Sequence, residues 1–360
     1  MTHSPIAASL AAPQHGPRPL PLFLEILRSE TAASPDRQRA ALAGLAAYQA
    51  AERAPPPPRP PVVAHAGRVA LRDYGGDGVP VLFVPSLINP PFILDIAPDR
   101  SLLRWLAAQG HRVLLVDWGA PSPDESARDI AGHVADLLVP LLRTLDAPPL
   151  LAGYCLGGTM AAAAAALMPV AGLAMIAAPW RFAGFGAEAR ARITALWQSV
   201  EPLCRQLGLV PMEVLQSGFW QLDPARTIGK YERFAQLEAD SDAARQFVAL
   251  EDWANAGAPL TYAAGAELFA FVADDAPGRG AWRVGSHLVD PHALACPRVE
   301  FVSMSDRIVP AATAAGFADH RALGAGHVGM VVGSGARAQL WAPLADWISA
   351  AGGARTVATA

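Results

Sequence analysis

The chain has 360 residues, of which 52% are hydrophobic and 17% charged, and its formal net charge is −4. This is enough for one large folded domain, with room for two, and it excludes global disorder; an acidic balance with no basic cluster gives no electrostatic case for nucleic-acid binding. The three cysteines, Cys155, Cys204 and Cys296, are far apart and odd in number, which argues against a disulfide framework or a zinc site and for a reducing, cytoplasmic setting.

The opening segment, MTHSPIAASLAAPQHGPRP, lacks a basic start followed by a long apolar core, so it does not read as a secretory leader. Residues 20–53 read as helical, with apolar positions at Leu22, Leu24, Ile26, Leu27, Leu42, Leu45 and Tyr48. The proline run at 54–61 cannot continue a helix or a central strand, and it reads as a stiff connector. Residues 1–61 are therefore expected to be a helical appendage plus connector.

From there the pattern alternates. Strands are expected at 79–88, 111–118, 148–154 and 170–179, with helices at 100–109, at about 126–145 and over GGTMAAAAAALM. Such alternation implies parallel strands joined by right-handed crossovers. The apolar run from Leu151 to Pro179 is long enough to suggest a membrane span. Glycines and Pro169 punctuate it, however, and its pieces read as strand, turn, helix and strand, so it is expected to be buried core. Residues 184–296 look mainly helical, a strand returns at 296–306, and a closing helix is expected at 335–351. The sequence thus predicts an α/β core over 62–183 and 297–360, interrupted by a helical cap insertion at 184–296. In a layered α/β fold, that insertion would lie over the carboxyl ends of the strands, where active sites are found.

The segment Gly153-Tyr154-Cys155-Leu156-Gly157-Gly158 fits G-x-C-x-G between a strand and an alanine-rich helix. This is the nucleophile elbow of the α/β-hydrolase fold with cysteine in the serine position. Small flanking residues let the backbone close the turn, and the helix N-terminus favours a thiolate. The Leu156 amide would face a developing oxyanion. The bland alternative is a small buried cysteine in a packing turn.

A nucleophile needs a base and an orienting group, in the order nucleophile, acid, histidine. Asp306 follows the strand VEFVSMS, and His327 lies in GAGHVGM before the last helix. Taken singly, Asp306 reads equally well as a turn residue and His327 as a surface histidine. His287, His292 and His320 are rivals for the base, and Asp290 for the acid. Cys204 and Cys296 have no elbow and read as structural. The second oxyanion donor is expected in the loop VPSLIN, from the Leu87 amide, with Ser86 or Ile88 as alternatives.

These segments resemble the polyhydroxyalkanoate synthases of the α/β-hydrolase superfamily, in the short, two-subunit type. The resemblance covers residues 79–182 and 296–333 and lies in FVPSLINPPFILDI, SLLRWLAAQGHRVLLVDWGAP, GYCLGGT, SDRIVP and GAGHVGMVV. It implies that Cys155 carries the growing chain as a thioester, that His327 activates it, and that Asp306 supports His327 or activates the incoming hydroxyl. The implied substrate is an (R)-3-hydroxyacyl-CoA, with coenzyme A released. It further implies a homodimer or a second synthase subunit and a site at the polyester granule surface. No metal or organic cofactor is implied. The chain departs from the family pattern at Arg307, where histidine is frequent. It departs again in EDWANAGAPLTY (251–262), which keeps Trp253 and Asn255 without the matching aspartate, and in VVGSGAR after the histidine.

A thioester exchanging for a thioester changes free energy little, so cysteine favours transfer over hydrolysis. The competing readings are a cysteine-dependent hydrolase (a polyester depolymerase or thioesterase) and an inactive granule-associated homologue.

Overall fold

The computed structural model describes residues 15–353; most of the weighed leader segment and the start of the appendage lie outside the described residues. The chain forms two compact units, one containing residues 15–55 and 216–256, the other 56–215 and 257–353.

The first unit is helical. The helical stretch expected over 20–53 consists of two helices, Leu20–Glu30 and Pro35–Ala50. Ser34 accepts a hydrogen bond from the Arg37 amide and Pro35 occupies the first turn, so a new helix starts where apolar spacing alone suggested continuity. Phe23, Leu27, Leu45 and Tyr48 from these helices share one core with Ile228, Tyr231, Phe234 and Val248 from the helices Pro224–Phe234 and Asp242–Asn255. The polar atoms in this core are matched. The Tyr48 hydroxyl donates to Asp252 at 2.6 Å, and buried Glu251 accepts from Tyr231 at 2.8 Å and from Lys230 at 2.6 Å.

The second unit is built on an eight-stranded sheet. Its strands are β1 (Val62–Ala66), β2 (Val69–Asp73), β3 (Asp77–Val84), β4 (His111–Asp117), β5 (Leu150–Tyr154), β6 (Gly172–Ile176), β7 (Arg298–Ser303) and β8 (His320–Leu323). Their spatial order is β1-β2-β4-β3-β5-β6-β7-β8. The run from β4 to β8 is parallel, and β1 and β2 form an antiparallel hairpin on its edge. That hairpin turns at Gly67, whose φ of +57° suits glycine. Every residue of β5 and β6 is buried, as expected of strands covered on both faces.

The strand order reverses between β3 and β5, because β3 leads outward to β4 while β5 begins the run towards β8. Ligands in open α/β sheets bind outside the carboxyl ends of the strands at such a switch point. The loop after β3 carries Leu87, and the turn after β5 carries Cys155. The apolar run Leu151–Pro179 is strand, helix and strand as expected, and among the described residues no helix is long and apolar enough to cross a membrane.

One substitution tests the helical unit. A Cβ on Gly44 would lie 2.0 Å from the Tyr231 carbonyl oxygen. Alanine gains roughly 1 kcal/mol of helix propensity over glycine, but overpacking against backbone costs about 1–3 kcal/mol. Gly44→Ala should therefore lower the midpoint of urea unfolding; a raised midpoint would show that these helices do not pack this closely.

Candidate active site

Cys155 sits between β5 and the helix Leu156–Leu167 with φ +56° and ψ −135°, a conformation costly for any residue with a Cβ. Its amide donates to the Ile176 carbonyl at 2.9 Å, and its carbonyl accepts from the Gly158 amide at 2.8 Å, so neighbours on both sides hold the strained turn. The adjacent glycines are required by space. A Cβ on Gly153 would come within 2.4 Å of the Gly158 Cα, one on Gly158 within 2.3 Å of the Ala178 Cβ, and one on Gly157 within 2.0 Å of the Val84 carbonyl oxygen. The last contact brings the end of β3 against the elbow.

Asp306 and His327 come from loops that follow β7 and β8. Both are buried, and His327 Nδ1 donates to Asp306 Oδ2 at 2.6 Å. The other carboxylate oxygen of Asp306 accepts from the Ile308 amide at 2.7 Å and the Val309 amide at 3.0 Å. With Nδ1 committed to the carboxylate, Nε2 is the ring nitrogen left to face the Cys155 side chain, whose charge helps to raise the His327 pKa. The structure thus bonds His327 to Asp306 and leaves the imidazole under the influence of the Cys155 charge.

The electrostatics of the group favour a charged imidazole. Burial alone would lower the pKa of His327, but the charges of Cys155 and Asp306 and their hydrogen bonds outweigh it and raise it to about 10. Burial raises the thiols of Cys204 and Cys296 above their ordinary range.

Leu156 is the first residue of its helix, where amides have no intrahelical acceptor. In the loop after β3, the Ile88 amide donates to Ser86 Oγ at 3.1 Å. Ile88 is thereby engaged locally. The Pro85 carbonyl in the same loop accepts from Trp118 Nε1 at 2.9 Å, tying the loop to the end of β4.

The rivals are elsewhere. His320 is bonded to Glu300 at 2.8 Å, and His292 is within 3.2 Å of the Ala315 carbonyl. Asp290 accepts from the His292 amide at 2.8 Å, a local turn contact, and His287 is exposed. Sequence reasoning passed over Tyr154, Ser303 and Ser305, whose hydroxyls donate to carbonyls of the segment 324–327. Tyr154 stood within the elbow motif, but only its distant contact with His327 gives it meaning.

The raised pKa has a consequence for stability. Folded His327 keeps its proton over a range in which the unfolded chain has lost it, so the stabilisation is complete below pH 6.5 and is lost as pH rises towards 10. The difference in unfolding free energy between the native chain and His327→Gln should shrink across that window. A difference that stays constant or grows would contradict an imidazolium held between Cys155 and Asp306.

A model of the alpha/beta hydrolase family matches residues 81–340, which include Cys155, Asp306 and His327. The chain is 30% identical over 291 residues to the poly(3-hydroxyalkanoate) polymerase subunit PhaC of Haloferax mediterranei, an alignment covering 75% of this chain and 58% of that one. It is 30% identical over 308 residues to the protein of the same name from Haloarcula marismortui, covering 79% of this chain and 64% of the relative. To that of Allochromatium vinosum it is 26% identical over 295 residues, covering 75% and 81%. The chain therefore spans about three fifths of the length of the two haloarchaeal relatives it matches. With its family match running from β3 to beyond the last site residue, the chain belongs to the alpha/beta hydrolase family.

Proposed function

We propose that this chain is an acyltransferase of the polyhydroxyalkanoate synthase type, which builds a polyester from (R)-3-hydroxyacyl-CoA thioesters and releases coenzyme A. The observation that carries the reading is the pair of buried His327 and Asp306, bonded at 2.6 Å, with the charge of Cys155 at the strained elbow acting on the same imidazole. The similarity to polymerase subunits named PhaC supports the substrate class.

In this reading the Cys155 thiolate attacks the thioester carbonyl. The oxyanion forms towards the amides of Leu156 and Leu87. As the tetrahedral intermediate collapses, the carbon–sulfur bond to coenzyme A breaks, His327 gives its proton to the departing thiolate, and the acyl group stays on Cys155. The 3-hydroxyl of a second substrate then attacks the enzyme thioester. His327 accepts that hydroxyl proton, an ester forms and the Cys155 thiolate leaves. Asp306 is better suited to orienting His327 than to deprotonating the hydroxyl, because both its oxygens are already engaged, one by His327 and the other by two amides.

A thiol nucleophile suits this sequence because each half-reaction starts or ends on a thioester. Whether a hydroxyl or water accepts the acyl group depends on water access to Cys155. The relatives are named as polymerase subunits, which supports a complex with a second subunit or another copy of the chain.

The test is coenzyme A release from (R)-3-hydroxybutyryl-CoA by the native chain and by Cys155→Ala, with product analysis. Release that yields polymer and is lost in Cys155→Ala is the expected result. Release of free hydroxy acid alone would identify a thioesterase, and release that survives Cys155→Ala would refute the nucleophile.

A further inference from the structure

The segment that carries His327, Gly324-Ala325-Gly326-His327, joins β8 to a single helical turn at Gly329–Val332. Two glycines in four residues give it backbone freedom and no side chains with which to pack. An imidazole that must meet both a carboxylate and a thiol cannot tolerate that freedom, since small misplacements of a catalytic group are costly. The restraint comes from outside the segment.

Three side-chain hydroxyls donate to its carbonyl oxygens. Ser305 Oγ donates to Gly324 at 2.8 Å, Ser303 Oγ to Ala325 at 2.5 Å, and the Tyr154 hydroxyl to His327 itself at 3.1 Å. The two serines lie on the chain end that leads from β7 to Asp306, and Tyr154 immediately precedes Cys155. The histidine segment is thus fastened on one side to the strand of the acid and on the other to the strand of the nucleophile. Tyr154 makes a second contact, because its ring stacks on the imidazole with centroids 5.1 Å apart and planes 29° apart. Burial is the main cause of a phenol pKa well above its ordinary range, so Tyr154 keeps its proton and remains a donor.

We propose that Tyr154 is a positioning residue for His327, its ring fixing the plane of the imidazole and its hydroxyl fixing the carbonyl of the same residue, while Ser303 and Ser305 hold the rest of the segment. The proposal rests on the Cys155–His327–Asp306 reading given above. It gives the variable position of G-x-C-x-G a role in catalysis through the histidine, beyond filling the core beneath the elbow.

The experiment measures alkylation of Cys155 by iodoacetamide in the full chain, with the modified cysteine located by mass spectrometry, as a function of pH. The variants are Tyr154→Phe, Tyr154→Leu, Ser303→Ala and His327→Ala. The control is Ser349→Ala, which removes a hydroxyl donating to the Ala345 carbonyl at 3.0 Å in the closing helix. Tyr154→Phe keeps the ring and loses one hydrogen bond, so alkylation at neutral pH should fall about fivefold, the equivalent of one ordinary hydrogen bond. The rise of alkylation should also move to higher pH. Tyr154→Leu should fall further, Ser303→Ala should resemble Tyr154→Phe, and Ser349→Ala should match the native chain. With (R)-3-hydroxybutyryl-CoA, Tyr154→Phe should lower kcat and leave KM unchanged. A native alkylation profile in Tyr154→Phe beside a slowed His327→Ala would overturn the positioning role alone. A native profile in His327→Ala would overturn the underlying reading as well. A Ser349→Ala variant as slow as Tyr154→Phe would reduce the effect to general loosening and likewise overturn the proposal.

Discussion

A Cβ on Gly157 would lie 2.0 Å from the carbonyl oxygen of Val84. That absence of space lets the turn after β5 and the loop after β3 meet backbone to backbone, and the candidate site depends on it. The helix after Cys155 can begin only because Gly157 and Gly158 admit neighbouring chain, and the strained φ of Cys155 is held by bonds to Ile176 and Gly158. A methyl group at any of these glycines would push apart segments that supply the thiol and the amides around it. Local strain of this kind persists only where the surroundings over-determine it. Here those surroundings are a fully buried pair of central strands, β5 and β6.

On that frame the electrostatics are self-consistent. A buried histidine is ordinarily neutral, because taking an imidazolium out of water is costly. His327 departs from this because Asp306 lies 2.6 Å from Nδ1 and the charges of Cys155 and Asp306 outweigh its burial. His133 in the same unit shows the contrasting case. Also buried, it lies beside Arg68 and a backbone carbonyl rather than a carboxylate–thiol pair, and burial drives it down to about 4. The two residues have the same side chain and are both buried; at His133 burial prevails, whereas at His327 the charged neighbours outweigh it.

The elbow was legible in the sequence because everything it requires is local: a strand, a small-x-Cys-x-small turn and a helix within about twenty residues. Asp306 was legible by its place after a strand, and His327 by chain order and by its place before the last helix. Other features were harder. The hairpin of β1 and β2 was missed because β1 is short and mostly exposed, so it shows no apolar alternation. The four-residue β8 was missed for a similar reason. Ser34-Pro35 carried a clear helix-start signal that apolar spacing on both sides concealed. The packing of the helices before the proline run with residues 216–256 could not be read from either segment, because each has an apolar face whose partner is some two hundred residues away. The contact of Tyr154 with His327 spans 173 positions, and no local pattern announces it.

The most direct test of the account is to capture the acyl-enzyme. The chain would be mixed with (R)-3-hydroxybutyryl-CoA, quenched in acid within the first turnovers, and digested for peptide mass spectrometry. The account predicts a hydroxybutyryl thioester on the peptide containing Cys155, removed by neutral hydroxylamine and missing when His327 is replaced by alanine. Coenzyme A release with Cys155 unmodified, or with the acyl group on another side chain, would contradict it.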